Sequence, residues 1–298
     1  PLPYLMTGPT PEPPKIDGII APEEWQYAGC VSGFIVLGKP DLAERTTVAY
    51  VTFDDSHLYI AYDCRIAGGR PNASPVERDG SVWGGDSIEL SIAPPWMDDG
   101  QYYHVIANYH GSIFDAVKLD PAEKGFDTSW NATWQFANHV WEGVWSLELA
   151  VPLHDLRVTD PIGQWRMNFG RSEGTFTGWS FTGRGYHNAA RYGTVEFAES
   201  ALIPRLAVVD GATLGELKVA GSIRNTTAEN TSVVIRALLR PAATLGEADH
   251  PLAEVIQTVE QTIRIPAGET QDVLLEHTFD DKRLDVLEIS ARAADQDL

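Results

Sequence analysis

The chain has 298 residues, enough for about two domains that each bury a core of their own. Its 22 basic and 42 acidic residues give a formal charge of −20, which argues against nucleic acid and anionic membrane surfaces as partners. Hydrophobic residues make up 43% of the chain, which excludes disorder, and no apolar run approaches the ~18 residues of a membrane span.

The first residue is Pro1 rather than Met, which indicates a processed or trimmed product. We therefore expect a secreted or cell-surface protein whose signal peptide has been removed. Such a location permits disulfides, and Cys30 and Cys64 both fall in predicted strands of one region. A Cys30–Cys64 disulfide and two separate buried thiols are equal alternatives at this point.

The first two hundred residues predict β-structure. Residues 1–14 are rich in proline and predict an extended arm. Pro22–Trp25 has proline at what would be a first helical turn and predicts one short helix. Elsewhere, β-branched and aromatic runs alternate with turn signals such as Asp54-Asp55-Ser56, which is typical of an antiparallel β-sandwich or barrel. The predicted strands are 47–53, 58–62, 87–92, 102–108, 112–115, 145–151 and 165–169.

The composition changes near residue 200. All nine Trp and all ten Tyr precede it, and Phe279 is the only aromatic residue that follows. We place a boundary at 198–204, so that a first domain covers 15–199 and a second covers 205–298. Alternating apolar residues in the second region predict about seven strands of a smaller immunoglobulin-like or fibronectin-like β-sandwich, for which a spacer or packing role is expected. These residues are Leu217, Val219, Ile223, Val233, Ile235, Ala237, Leu239, Ile263, Ile265, Val273, Leu275 and Phe279.

The most informative segment is 82–90, in which Trp83 precedes two glycines and a strand. In that strand Ser87 and Glu89 alternate with apolar residues, so one face is polar and carries a carboxylate. A functional interpretation is a sugar platform, with the Trp83 ring against a pyranose and Glu89 bonded to its hydroxyls. A core tryptophan and an exposed glutamate are an equally good interpretation.

An ordered series of motifs across residues 15–197 resembles the family 9-type carbohydrate-binding modules. The resemblance implies an antiparallel β-sandwich of the type shared with DOMON-like domains, and it implies structural calcium. The motifs are Lys15–Gly18, Glu24–Ala28, Asp54–Ala61, Trp83–Glu89, Trp145–Pro152, Trp165–Arg171 and Arg191–Gly193.

The resemblance also implies a ligand site. Two tryptophans sandwich a sugar in this family, and they correspond to Trp83 and Tyr186 here. Glu89 matches a carboxylate that bonds hydroxyls, whereas His104 stands where the family has an arginine, and it is either a ligand contact or an ordinary strand residue. Arg184, in the loop beside Tyr186, is the best cationic candidate, although an exposed arginine without a role is equally consistent.

Two cofactors follow from the resemblance. Haem would need a pair such as Met167 and His104, but Met167 alternates with Trp165 and Phe169 as a core residue does, so no haem is expected. Structural calcium needs several oxygen ligands, and aspartates on predicted turns could supply them or could cap their own backbone. These aspartates are Asp17, Asp54, Asp55, Asp79, Asp86, Asp98 and Asp99.

Catalysis has little support from the sequence. No recognisable nucleophile motif, zinc-protease motif or phosphate loop is present, and Glu148 alternates with Leu147 and Leu149 as an ordinary strand residue does. The sequence therefore predicts a non-catalytic glycan-binding module of a larger secreted or cell-surface bacterial protein. The alternative is a structural or adhesion module without a sugar site, which predicts that Trp83 is buried.

Overall fold

The computed structural model describes residues 2–39, 41–210, 216–241, 255, 257–278 and 284–293. Contacts divide the chain into two compact units, Pro1–Glu199 and Ser200–Leu298. Over the described residues both units are built from β-strands with a few single 3₁₀ turns. Within the same residues, no helix has the length and apolar character needed to cross a membrane.

The first unit contains thirteen strands among its described residues, and three 3₁₀ turns join them. The turns are Val82–Gly84, Leu153–Leu156 and Ala189–Arg191. The strands are β1 (Tyr4–Thr7), β2 (Gly29–Val31), β3 (Ile35–Val36), β4 (Thr47–Phe53), β5 (His57–Arg65), β6 (Ser87–Ala93), β7 (Tyr102–Asn108), β8 (Ile113–Lys118), β9 (Gln135–Trp141), β10 (Val144–Pro152), β11 (Gly163–Ser172), β12 (Phe176–Gly178) and β13 (Gly193–Phe197).

These strands form two sheets that enclose one apolar core. The eight-stranded sheet runs β1-β13-β11-β6-β7-β8, with β12 and β3 added beside β11, and the five-stranded sheet runs β2-β4-β5-β10-β9. All pairs are antiparallel except β1 with β13. The predicted antiparallel β-sandwich is therefore confirmed.

Strand alternation decides which residues enter the core. Ile88, Leu90 and Ile92 of β6 point inward, and they meet inward residues of β5 and β10 in the same buried cluster. The intervening residues of β6, which include Ser87 and Glu89, lie on the opposite side of the eight-stranded sheet. We call this side the outer face.

The proline-rich segment is not a free arm, contrary to the prediction for residues 1–14. Its strand β1 pairs in parallel with β13, from Tyr4 opposite Thr194 to Thr7 opposite Phe197. Leu5 is buried in the core, and the Thr7 hydroxyl donates to the Val51 carbonyl over 2.6 Å. Burial of these side chains holds the segment in place, which the proline content alone does not reveal.

The helix predicted at Pro22–Trp25 was also wrong. The segment forms hydrogen-bonded turns, in which the N–H groups of Glu24 and Trp25 both donate to the Ala21 carbonyl. Trp25 is fully buried on the outward side of the five-stranded sheet, in a cluster with Tyr59 and Ala61. Because the chain must enter β2 only four residues later, the turns do not continue into a helix.

Glu148 of β10 anchors this covering segment. Its carboxylate accepts the Trp25 indole N–H over 2.8 Å and the backbone N–H groups of Gly18 and Asp17 over 2.7 and 2.9 Å. Burial raises the pKa of Glu148 although these three bonds act to lower it. Gly18 has a φ of +87°, and a Cβ there would lie 2.5 Å from the backbone of Asn138, so only glycine fits.

The two cysteines remain separate thiols. Cys30 on β2 lies opposite Tyr50, which lies opposite Ala61, so the strand of Cys64 is two strands away. Two strand spacings are about 9.6 Å, which exceeds the Cα separation that a disulfide tolerates. Cys64 is in the core, where burial raises the pKa of its thiol to about 12.

The described residues of the second unit form two three-stranded antiparallel sheets, β14-β15-β18 and β17-β16-β19. The alternating apolar residues named above that fall in β15, β16 and β18 all belong to a single buried cluster. Ile265 also belongs to this cluster, and Ile263 packs against it. Phe279 lies outside the described residues. The immunoglobulin-like connectivity stays a prediction. The strands are β14 (Leu202–Asp210), β15 (Glu216–Asn225), β16 (Thr231–Pro241), β17 (Gln257–Ile265), β18 (Thr270–Thr278) and β19 (Leu284–Ala293).

Replacing Glu148 by glutamine is expected to lower the free energy of unfolding by about 3 kcal/mol, because the amide NH₂ would face N–H donors that need an acceptor. Urea unfolding of wild type and Glu148→Gln measures the difference. Glu142→Gln is the matched control, since Glu142 is exposed in the turn before β10. Equal losses in the two variants would contradict this account of Glu148.

Asp54 gives a pH-dependent contribution in the turn between β4 and β5. Burial acts to raise its pKa, but hydrogen bonds from the Tyr59 hydroxyl and from Ser56 and His57 outweigh it, so the pKa of Asp54 is lowered. A lowered pKa in the folded state stabilises the protein above the ordinary value of 3.8, and this stabilisation disappears as the pH falls through the folded-state pKa.

Asp54→Asn is therefore expected to lose about 1 kcal/mol of unfolding free energy at neutral pH. The amide has one oxygen, whereas the carboxylate accepts from Tyr59 on one oxygen and from Ser56 and His57 on the other. The loss should shrink as the pH falls below 3.8. Urea unfolding at several pH values measures it, with Asp55→Asn as the neighbouring control. A loss that is constant with pH would show that ionisation of Asp54 contributes nothing.

Candidate functional site

Trp83 stands on a 3₁₀ turn directly before β6. Val82 in the same turn is buried, whereas the Trp83 side chain is 50% exposed. Its ring meets the edge of Phe114 from β8, with centroids 5.4 Å apart and planes at 88°. The sequence left a core tryptophan and an exposed platform as alternatives, and the structure supports the exposed platform.

Glu89 and His104 form a buried pair on the outer face. Glu89 lies on β6, and His104 lies on β7 opposite Ser91, the next outward residue of β6. Oε1 of Glu89 and Nε2 of His104 are 2.6 Å apart, and His104 is only 3% exposed. Of the two interpretations that the sequence left open, the one with an exposed glutamate does not hold, because Glu89 is buried. The two residues that the resemblance assigns to a ligand are in contact with each other.

Aromatic rings surround this pair. The rings of Phe114 and Phe126 have their centroids 5.7 and 5.1 Å from that of His104, and the Tyr102 ring lies 6.4 Å away. Such neighbours exclude water, so each polar atom of the pair needs a partner within the protein or a ligand. Nδ1 of His104 is buried and has no hydrogen-bond partner among the described residues.

His187 reaches the same cluster from the loop after β12. Its ring centroid lies 4.9 Å from that of His104, and its Nδ1 is 3.1 Å from the Tyr102 hydroxyl. The residue has exposed surface, but its ring lies against Phe126 and His104. This desolvation, together with the nearby His104, lowers the pKa of His187. Glu89, His104 and His187 each bring one donor atom into a group whose atoms all lie within 4.8 Å of one another.

Tyr186 offers no open ring face in this structure. It is only 5% exposed, and its hydroxyl lies 2.9 and 3.1 Å from the carbonyls of Arg171 and Thr177, to which it donates. Its ring covers Gly170 of β11, where a Cβ would lie 2.4 Å from the ring. Because Gly170 is opposite Glu89, Tyr186 packs beside the buried pair. The predicted stacking surface at Tyr186 is therefore not available to a ligand.

Phe176 is an exposed ring that the sequence analysis missed. It is 49% exposed and meets Tyr186 edge-on, with centroids 5.7 Å apart. Phe176 on β12 is opposite Ser172, which is opposite Ser87 at the start of β6. Phe176 and Trp83 therefore lie at the same end of the eight-stranded sheet. Only the pairing of β12 with β11 shows this, so no local sequence pattern could have identified Phe176.

Arg184 is exposed, and its side chain packs over Gly38, since a Cβ there would lie 3.3 Å from Cγ of Arg184. Its loop continues directly into Tyr186 and His187. An open cavity of about 660 Å³ is lined in part by His187. Lys118, Phe126 and Arg166 also line it.

Several of the aspartates proposed for calcium have other partners. Asp17 contacts Lys15, Asp86 accepts the Asn72 N–H over 2.7 Å, and Asp99 contacts Arg166. Among the described residues, the one group of three or more potential side-chain metal ligands is Glu89 with the two histidines. Two nitrogen donors suit calcium poorly, so these side chains do not form an evident calcium site.

Haem ligation by Met167 with His104 does not fit the geometry. Met167 is opposite Ile92 and lies in the core, whereas His104 is opposite Ser91 and lies on the outer face. The two side chains thus project from opposite sides of one sheet.

Comparison with solved structures places the fold among known ones. The chain matches a Bacteroides uniformis protein to which carbohydrate binding is ascribed, at 18% identity and a TM-score of 0.53, over 66% of this chain and 100% of that one. The similarity is one of fold. The matched share is about that of the first unit.

Two further matches are structures of a family 9 carbohydrate-binding module from Caldicellulosiruptor kristjanssonii. The complex with cellotriose matches at 12% identity and a TM-score of 0.49, over 66% of this chain and 95% of that one. The complex with glucose matches at 13% identity and a TM-score of 0.48, over 66% of this chain and 97% of that one. No protein-family model matches the sequence, and no curated protein matches it significantly.

Tyr186→Phe is expected to lower the free energy of unfolding by about 1–2 kcal/mol, because it removes the buried hydroxyl that donates to the Arg171 and Thr177 carbonyls. Tyr4→Phe is the control, since the Tyr4 hydroxyl donates to Glu196 at an exposed position. Urea unfolding measures both. If Tyr186→Phe is no more costly than the control, its hydroxyl does not have this supporting role.

Proposed function

We propose that the first unit is a non-catalytic glycan-binding module and that its sugar lies against Trp83 on the outer face. The observation that carries the proposal is the half-exposed indole of Trp83, which Phe114 holds edge-on beside a buried carboxylate–imidazole pair. An exposed, rigid aromatic ring packs well against the apolar face of a pyranose.

Phe176 supplies the second exposed ring in this proposal. The buried Tyr186 packs edge-on against Phe176. Phe176 therefore takes the stacking role that the resemblance implies for Tyr186. Arg184, in the adjoining loop, is the exposed cation for hydroxyl groups, and Glu89 with His104 forms the polar floor. The carbohydrate binding ascribed to the Bacteroides uniformis structure of the same fold accords with this assignment.

The net charge of −20 favours neutral glycans over polyanionic ones. The proposed setting is a secreted or cell-surface protein, in which the immunoglobulin-like second unit acts as a spacer. The family resemblance also implies structural calcium, which we keep in this proposal. Its ligands would not be a cluster of the aspartates named above.

A structural or adhesion module without a sugar site is the competing function. It requires Trp83 to be buried, and the 50% exposure of Trp83 argues against it.

Trp83→Ala is expected to abolish glycan binding while the fold is kept, because an exposed ring contributes to the ligand contact and little to the core. A glycan array screened with wild type and the variant measures this, once in calcium buffer and once after calcium chelation. Trp141→Ala is the matched control, since Trp141 is 39% exposed on β9 of the other sheet.

Binding that Trp83→Ala loses and Trp141→Ala keeps would support the site, and melting temperatures confirm that the variants are folded. No binding by folded wild type in either buffer would reject the glycan function in favour of the structural module. Binding that survives Trp83→Ala would place the site elsewhere.

A further inference from the structure

We propose that Glu89, His104 and His187 form a binding site for a divalent transition-metal ion such as Zn²⁺. One donor atom from each residue lies within 4.8 Å of the other two. The three come from β6, β7 and the loop after β12, so the tertiary fold alone brings them together.

The donor set selects the class of metal. Two imidazoles and one carboxylate suit Zn²⁺ and neighbouring first-row ions, whereas calcium and magnesium prefer oxygen ligands throughout. Three protein ligands also leave a coordination position for water or for a hydroxyl group of a ligand.

The Glu89–His104 contact is compatible with metal entry. Oε1 of Glu89 and Nε2 of His104 are within hydrogen-bond distance, 2.6 Å apart. Two ligands on one tetrahedral zinc at about 2.0–2.1 Å lie roughly 3.3 Å apart, so a small separation of these side chains would replace the proton by the ion.

His104 also has a buried nitrogen without a partner in the described part of the chain. His104 is 97% buried, being 3% exposed, and its Nδ1 has no hydrogen-bond partner among the described residues. Burial of an imidazole whose two nitrogens are not both satisfied is unfavourable in a wall of Phe114, Phe126 and Tyr102. An ion on Nε2 would leave Nδ1 without a partner, so the unpartnered Nδ1 supports a ligand at this ring but does not by itself select the ion.

His187 provides both orientation and access. The Tyr102 hydroxyl, 3.1 Å from Nδ1, can accept the proton of that nitrogen and so leave Nε2 free for an ion, as outer-shell partners of metal-bound histidines do. The residue also lines the open cavity, which gives an ion a path from solvent.

Calorimetric titration of metal-stripped wild type with ZnCl₂ tests the proposal, and one ion per chain is expected. His187→Ala should weaken binding about tenfold or more, because it removes the one proposed ligand that has exposed surface. His154→Ala is the matched control, since His154 is an exposed histidine 3.1 Å from the carboxylate of Asp155. Titration with Co²⁺ adds an absorption spectrum that reports nitrogen coordination.

Wild type that takes up no Zn²⁺, or that binds as tightly after His187→Ala as before, would overturn the site. Equal losses in His187→Ala and His154→Ala would do so as well, because they indicate surface binding only. Trp83→Ala should bind Zn²⁺ as wild type does, which separates this site from the glycan platform.

The metal site shares Glu89 and His104 with the proposed glycan site, so this inference rests partly on the proposed function. Measuring glycan binding in EDTA and Zn²⁺ uptake separately distinguishes the two proposals. Glycan binding without Zn²⁺ uptake would reject the metal site and leave the glycan function standing. Zn²⁺ uptake without glycan binding would reject the glycan function and leave the metal site standing.

Discussion

The alternation of side chains along each strand is the constraint on which the first unit depends. It sends every second residue of β6, β7 and β11 into the core, and it forces the others onto the outer face. A polar residue on that face is exposed only if nothing covers it. In this protein aromatic rings and loops cover much of the face, and the chemistry of the candidate site follows from that cover.

Glu148 and Glu89 are buried carboxylates on the outward sides of the two sheets, and their polar atoms are satisfied in different ways. Glu148 lies under the segment 16–28, and three N–H donors satisfy it, so it holds the cover in place. Glu89 lies under rings that donate nothing to it, and its partner is the single imidazole of His104. The first arrangement is complete within the protein, whereas the second retains an unpartnered nitrogen. This difference is why we assign a structural role to Glu148 and a ligand-binding role to Glu89.

Sequence reasoning recovered β4 to β8, β10 and β11 of the first unit, because local alternation and turn residues encode them. It left Trp83 as either a core residue or an exposed platform. It failed where distant segments decide the outcome. The proline-rich segment contains few strand signals, yet Leu5 is buried because β13 offers it an edge. Tyr186 was expected to stack on a ligand, but Gly170 has no side chain and so leaves room for the Tyr186 ring to pack against β11. His187 and Phe176 join the site through loop placement and strand pairing, which no local pattern records.

The parallel pairing of β1 with β13 has a mechanical consequence. The chain enters the first unit through β1 and leaves it through β13, and the two strands run side by side in the same direction. A pull along the chain therefore acts at opposite ends of this pair and slides one strand past the other. Under such shear the backbone hydrogen bonds between them are loaded together, whereas antiparallel strands pulled from one end would open bond by bond. The first unit is thus built to resist tension transmitted along the polypeptide.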